Sequence, residues 1–572
     1  MISISRFFLK FILCFVISSI ISLLFLSFFS AIFESESIII WFVLHPFDIC
    51  QCYPLLWSFL KKYFVLLCFL CNFIYLYPFP CLIFGLLKKP QKSTFEFQKE
   101  KLSLVVGNTL KHELIYLPAK SLYQNILITG SIGCGKTSSA MYPFTEQLIA
   151  YQNENKKEKL GMLILDVKGN FYKQVLHYAK QYNRMQDIVL LGIHSKEKYN
   201  PLHKPELSPS VLANRLKTIL TLLSPNNSES FWLDKVEQML IESIKLCRLY
   251  NQGYVTFEEL YKLITFPEYY QEKISHIKSL FQNNAYCEKE LYSLLTAMDF
   301  FEHEFFSLDS RTSSILKSEL TRITSPFVSD YCVSNTFCSN KNQLTFTSFL
   351  DLLEKGKIVV LQMSLAEHSI LCKIIATYLK LDFQNALLLR MTKKEINQTR
   401  PVCFLCDEFH EFVTESDINF LAESREAKCI NIVSTQSFSS LLNTLNKETT
   451  TKVLIQNFVN KLCYRTDDLY TIEFLQKQIG KEEKEKRSIT VSENAKETNF
   501  NYLLNSFLSK DSNLSESISS YSHFDYIYDS HFFTQELETF SCLAFLSNGT
   551  NILPTQKLNM IPYFIKKGKE FV

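Results

Sequence analysis

Residues 125–137 read Asn125-Ile-Leu-Ile-Thr-Gly-Ser-Ile-Gly-Cys-Gly-Lys-Thr137. The first five residues are a short strand signal, and Gly130 to Thr137 fill the pattern G-x-x-x-x-G-K-[ST] in full. The spacing has a mechanical reason. Glycines let the loop wrap closely enough for successive backbone N–H groups to point at phosphate oxygens, with a lysine reaching the β and γ oxygens and a hydroxyl reaching Mg²⁺. A helix is expected to lead out from about residue 136. Gly130, Ser131, Ile132, Gly133, Cys134, Gly135, Lys136 and Thr137 are therefore the candidate nucleotide-binding residues, with ATP and Mg²⁺ as the expected ligands. Because Cys134 lies inside the loop, alkylation of its thiol is expected to block nucleotide binding, and ATP to protect it.

Outward from this loop the chain alternates short apolar runs with amphipathic stretches from about residue 100, which predicts an α/β domain with a parallel sheet. Further strands are expected at 162–166, Asp187–Leu191, Lys357–Met363, Val402–Cys406, Ile430–Ser434 and Asn460–Tyr464. Between about 206 and 345 the strands give way to helical periodicity, as in Val211–Leu220 and Phe231–Leu249, and this stretch reads as an all-α insertion.

A phosphate loop hydrolyses nothing without a carboxylate for the Mg²⁺ shell and a group that orients water. Val402-Cys-Phe-Leu-Cys-Asp-Glu408 is an apolar strand ending in two acids, at the edge where open α/β sheets hold their ligands. Asp407 joins Thr137 as a metal-shell candidate, and Glu408 is the candidate for the attacking water. The strand Ile430–Ser434 runs into Gln436, a candidate sensor of the γ-phosphate. Arg425 precedes that strand and reads either as a finger toward a neighbouring subunit's nucleotide or as an ordinary helix-surface charge.

The 572 residues are too many for one core, and two or three domains are expected. A net charge of +3 gives no bulk electrostatic argument for nucleic acid, so any DNA contact must be local. The hydrophobic residues crowd into the first ninety positions. Residues 7–33 and 63–87 are each long enough to cross about 30 Å of hydrocarbon. Arg6 and Lys10 before the first, and Lys88, Lys89 and Lys92 after the second, put both ends on the cytoplasmic side, although Lys61 and Lys62 lie on the outer side. The apolar segment 38–60 carries His45 and Asp48 and reads as a re-entrant or interfacial piece; a buried helical hairpin is the other reading of 1–90. The 17 cysteines show no paired metal-ligand spacing. Cys403 and Cys406 form a C-x-x-C, but inside an apolar run, where small buried hydrophobes are expected and a reduced compartment fits. Residues 480–500, rich in Lys and Glu, are expected to be a solvated loop or helix.

The order of these pieces is specific. Two spans precede the phosphate loop, and Asp166-Val-Lys-Gly169 and Tyr199-Asn-Pro-Leu202 follow it. Then come the helical insertion, Cys406-Asp-Glu-Phe409, Phe420-Leu-Ala-Glu-Ser-Arg425 and Ser434-Thr-Gln-Ser437. Over nearly the whole chain this resembles the type IV coupling proteins, the TraG/TraD-like conjugation ATPases related to the FtsK and HerA motors. The family's Asp-Pro-Lys-Gly turn has Val167 in place of proline here. The resemblance implies a RecA-like ATPase domain (95–205 and 346–572), an all-α insertion domain (206–345) and a transmembrane anchor (1–92), multi-pass in the inner membrane with the ATPase domain cytoplasmic. It implies a homo-hexamer that couples relaxase-bound DNA or effector proteins to type IV secretion channel components by ATP hydrolysis. The alternatives are an FtsK/HerA-type DNA translocase and, from another class, a membrane scaffold that binds ATP without using it.

Overall fold

The computed structural model describes residues 101–224, 230–283, 287–493, 499–501, 506–508 and 514–565. The anchor expected at 1–92, with its spans at 7–33 and 63–87 and the segment 38–60, lies outside the described residues. Among the described residues no helix is long and apolar enough to cross a membrane.

Fifteen strands occur in chain order: β1 (Ser103–Asn108), β2 (Leu114–Pro118), β3 (Ile126–Thr129), β4 (Gly161–Leu165), β5 (Ile188–Leu191), β6 (Ile358–Leu361), β7 (Val402–Cys406), β8 (Cys429–Thr435), β9 (Asn460–Tyr464), β10 (Lys481–Glu493), β11 (Asn499–Asn501), β12 (Ser506–Leu508), β13 (Leu514–Tyr526), β14 (Ser541–Phe545) and β15 (Gln556–Asn559). Eleven of them form one mixed sheet in the order β2-β1-β15-β14-β9-β3-β8-β7-β4-β6-β5. From β9 to β5 every pairing is parallel. Strands β3, β4, β6, β7, β8 and β9 are buried along their whole length, and for this reason β4, β6 and β7 read in the sequence as continuous apolar runs rather than alternating ones. Toward β2 the sheet continues through four antiparallel strands that the sequence pattern did not reveal.

Between β5 and β6 the chain is helical, from Pro209–Leu223 and Ser230–Tyr250 through Tyr331–Phe337 to Leu350–Lys355. Local chemistry starts these helices: Ser208, Thr256, Asp309 and Asp330 each accept an N–H of the first turn. A buried charge cluster ties this helical stretch to the long helix Leu365–Thr392. Asp382 of that helix meets Lys204 at 2.7 Å and Arg215 at 3.1 Å, and the Tyr199 hydroxyl donates to it at 2.9 Å. Burial pushes the Asp382 carboxyl up, but these two cations outweigh it and hold the group below the usual range.

The N-terminal edge of the parallel strands is held by arginines. Arg184 donates to the carbonyls of Leu160 (2.9 Å) and Gly356 (2.6 Å) and to Asp187 (3.0 Å), which also meets Lys159. Arg400 donates to Leu353 (2.8 Å) and Glu354 (2.9 Å), and Arg390 to Ala427 (3.0 Å). Each cation here closes backbone carbonyls that precede a strand.

Residues 480–500 correct an expectation. Instead of a loop or helix, 481–493 form β10, paired residue for residue with β13 in a two-stranded antiparallel ribbon. A Lys/Glu alternation suits a strand with water on both faces as well as it suits a helix, and Ile489-Thr-Val491 supplies the β-branched bias. Lys481 sits over the Tyr526 ring at 4.8 Å.

Candidate active site

Register gathers the site. Leu165 of β4 pairs with Cys406 of β7, and Cys406 pairs with Val433 of β8. The next residues along, Asp166, Asp407 and Ser434, therefore stand in a row at the C-terminal edge. Ile128 of β3 pairs with Ser434, which brings the phosphate loop beside the same row. The Gly130 amide then donates to the Gln436 carbonyl at 3.2 Å, and the Ser131 amide to the Arg465 carbonyl at 2.8 Å.

The loop admits no side chain at its two tightest points. A Cβ on Gly130 would lie 2.6 Å from the Tyr464 Cβ, and one on Gly135 would collide with the Phe540 ring. Gly135 also has φ of 99°, a conformation L side chains rarely adopt. Ile132 is exposed, whereas Cys134 is buried, its thiol pushed up by burial and its sulfur packed against Gly130. This argues against a reactive loop cysteine, because a thiol needs access and thiolate character to alkylate. Lys136 is buried and donates to the loop carbonyls of Gly130 and Ser131. A π-type turn, Thr137–Met141, leads from the loop into the helix Tyr142–Ala150.

Thr137 Oγ1 donates to Asp407 Oδ2 at 3.1 Å, and the Ser434 hydroxyl donates to Oδ1 of the same carboxylate. The Ser434 oxygen in turn accepts the Glu408 amide at 3.2 Å. Glu408 takes a left-handed backbone conformation, φ 52°, unusual for a residue with a Cβ and a place where strain is stored at functional sites. Its side chain is buried. Oε2 has no hydrogen-bond partner among the described residues and lies 3.7 Å from His410 Nδ1. Burial first, then the Asp407 charge, pushes the Glu408 carboxyl up, while Lys136, Lys168 and a hydrogen bond from Gln436 oppose this. Burial likewise holds His410 below its usual value, which favours the neutral imidazole beside Glu408.

Asp166 caps the turn that follows β4. Its carboxylate accepts the amides of Lys168 (3.1 Å), Asn170 (3.0 Å) and Phe171 (3.1 Å), and burial raises its titration, with Asp407 adding to the rise. The sequence identified it as a strand end opening the Asp166-Val-Lys-Gly169 turn, without a role at the site. Ser434 and Tyr464 were read only as members of a motif and a strand, with no role at the site, and Asp467 and Phe540 were not identified. Asp467 accepts the Ser131 hydroxyl at 2.8 Å, and Tyr464 bonds Ser139 at 2.9 Å. No local motif announces these roles; each residue reaches the loop through a strand or turn remote in sequence. Arg425 is not brought to the cluster. It is exposed just before β8, at the opposite edge of the sheet from the phosphate loop of its own chain.

The donor set suits a small hard cation that keeps most of its shell for phosphate and water: one hydroxyl and one carboxylate, 3.1 Å apart, at a phosphate loop. Among the described residues no group of three or more His, Cys, Asp or Glu could hold a metal by itself. Cys403 and Cys406 are both buried in β7, with burial raising both thiols.

Residues 322–508 match the family model described as the type IV secretion-system coupling protein DNA-binding domain. Among solved structures, the chain is similar to the bacterial conjugative coupling protein TrwBdeltaN70 in its unbound monoclinic form, with TM-score 0.53 and 13 % identity over 82 % of this chain and 90 % of that one. The same protein in a trigonal form with sulphate gives 0.50 and 14 % over 79 % and 88 %. The plasmid coupling protein TrwB with the non-hydrolysable GTP analogue GDPNP gives 0.50 and 13 % over 79 % and 88 %. No curated protein sequence matches the chain. The mixed α/β fold with its large parallel sheet is thus that of TrwB, and the resemblance to the type IV secretion coupling proteins holds through the matched domain and the fold.

Proposed function

We propose that this protein is a membrane-anchored ATPase that couples a transfer substrate to a type IV secretion channel and drives transfer by hydrolysis. The observation that carries the reading is the row at one sheet edge: Thr137 of the loop bonded through Asp407 to Ser434, with the buried Glu408 next to them and Lys136 on the loop itself. In this reading the loop amides and Lys136 bind the triphosphate, and Thr137 and Asp407 hold Mg²⁺, which when bound would neutralise charge on the β and γ oxygens. Glu408 orients the attacking water. Its unpartnered Oε2 has the lone pair free for that proton. Gln436, just past the end of the strand between loop and acids, senses the γ-phosphate. That TrwB, similar in fold, binds the GTP analogue GDPNP supports the reading of this chain as a nucleotide-binding protein.

The described function of the matched domain favours DNA, with its relaxase, as the cargo over effector proteins, and favours a coupling protein over an FtsK/HerA-type translocase. The location (a cytoplasmic ATPase on the inner membrane), the homo-hexamer, and Arg425 as a finger into a neighbouring subunit belong to the same proposal. The test is ATP turnover by the full-length protein in detergent. Lys136→Ala and Glu408→Gln should each lower the rate about 10²–10³-fold, the usual loss when one positioned charge or base is removed. Equal rates in all three proteins would reject the assignment. A cell-to-cell transfer assay with a marked plasmid and a reporter-tagged effector separates the cargoes.

A further inference from the structure

The chain's last strand pair does more than extend the sheet. On either side of β14 and β15 the backbone is fastened to the phosphate loop and the turn after it at two points, and to itself at a third. The Phe540 amide donates to the Cys134 carbonyl at 3.1 Å, the Met560 amide to the Phe540 carbonyl at 2.7 Å, and the Tyr563 amide to the Ser138 carbonyl at 2.9 Å. Phe540 holds this position with φ at 67°, its ring in the space that Gly135 leaves open. The fastening sets out a short aromatic run. Phe564 meets Phe540 edge-on at 5.9 Å and Tyr563 at 5.5 Å, and Tyr563 meets Tyr142 at 5.2 Å. Phe564 is 60 % exposed and Tyr563 39 %. Tyr563, held by its main-chain bond, and Phe564, held edge-on by Phe540 and Tyr563, are both open to solvent and have no role in the core.

Their place relative to the loop suggests what covers them. A P-loop orders a bound triphosphate: the γ end lies toward the lysine and the acids, and the α end toward the start of the following helix. Here Lys136, Asp407 and Glu408 mark the γ end, and Ser138 begins the other side. A nucleoside leaving the loop past Thr137 and Ser138 would leave beside the segment that the Tyr563 amide ties to Ser138. We propose that Tyr563 and Phe564 form the nucleobase subsite, a stacking face for a purine, and that the C-terminal strands β14 and β15 serve to hold it against the loop. A π face accepts any base, so the subsite adds affinity with little discrimination between adenine and guanine. The proposal rests on the nucleotide site argued above.

The experiment titrates full-length protein in detergent, with Mg²⁺ present, against ATP and against inorganic tripolyphosphate, by calorimetry. Phe564→Ala and Tyr563→Ala should each weaken ATP about tenfold, within the range measured for one base–aromatic stack. Both should leave tripolyphosphate affinity unchanged, because Tyr563 is tied to Ser138 through its backbone alone. Phe564→Trp should keep ATP affinity. Wild-type affinity for ATP in both alanine variants would overturn the subsite, as would an equal loss for ATP and tripolyphosphate. A wild type that binds no tripolyphosphate, or a Lys136→Ala variant that binds it as tightly as wild type, would instead overturn the phosphate site and the subsite with it.

Discussion

At the N-terminal edge of the parallel strands, Arg184, Arg390 and Arg400 are buried and spend their donors on backbone carbonyls and on Asp187. At the C-terminal edge of the same strands stand three buried carboxylates, Asp166, Asp407 and Glu408, and one oxygen of Glu408 has no partner among the described residues. Both edges bury charge. Only one is satisfied within the described residues, and there the charges act as joints between strands. The other keeps hydrogen-bonding capacity in reserve, which a folded chain tolerates where a ligand or a reaction uses it.

If this contrast is right, Arg184→Ala damages the fold and leaves the chemistry of surviving molecules alone. Removing one partner of a buried pair costs about 3–5 kcal/mol, so Tm should fall on the order of 10 °C while nucleotide affinity of the folded protein stays unchanged. Glu408→Gln should do the reverse, losing about 10²–10³-fold in turnover with Tm equal to wild type or above it, since a desolvated charge is removed. A drop in Tm as large as that of Arg184→Ala would erase the distinction between the edges.

The pH dependence sharpens it. The Glu408 carboxyl is raised in the folded state, chiefly by burial, so the folded protein binds this proton more tightly than the unfolded chain. The stability this contributes is present below the ordinary glutamate value of 4.5 and is lost as pH rises through the raised folded value. Thermal melts from pH 4 upward should therefore show wild type losing stability relative to Glu408→Gln across that interval. Turnover, which needs the ionised carboxylate, should fall on acidification sooner than an exposed glutamate would predict.

Iodoacetamide followed by peptide mass mapping should modify the exposed Cys287 and Cys332 well before Cys134, which is buried and raised. Labelling of Cys134 at a comparable rate would mean that the loop opens. The smallest effect is expected at Arg425. Arg425→Ala should change stability by less than about 0.5 kcal/mol and leave nucleotide affinity intact, and a loss of turnover alone would identify a contact with another subunit's nucleotide.

The sequence disclosed what its chemistry makes local. A phosphate loop needs glycines at fixed intervals, so Gly130–Thr137 could be read directly, and β7 with its two terminal acids reads as a buried strand because no polar residue interrupts it. The helical stretch after β5 was legible from its period. Ser434 was hidden because its role depends on the register of β7 against β8, which one sequence does not state. The roles of Phe540 and Tyr563 were hidden because they reach the loop from the segments flanking β14 and β15, four hundred residues on, whose strands alternate weakly. Cys134 misled for the same reason: its place in the motif is local, but its burial comes from Tyr464 and Gly130 packing around it.

The position of β3 between β8 and β9 also sets a timetable for biosynthesis. Asn125, at the foot of β3, bonds Asn431 across 306 positions of chain, and at ribosomal rates of about 5–20 residues per second that is roughly 15–60 s of translation. Throughout that interval the nascent chain carries a finished nucleotide loop on a strand with neither neighbour. High contact order of this kind slows folding and exposes an apolar edge to chaperones or to other nascent copies. A polypeptide released before residue 464 would have the loop without the walls that shape it.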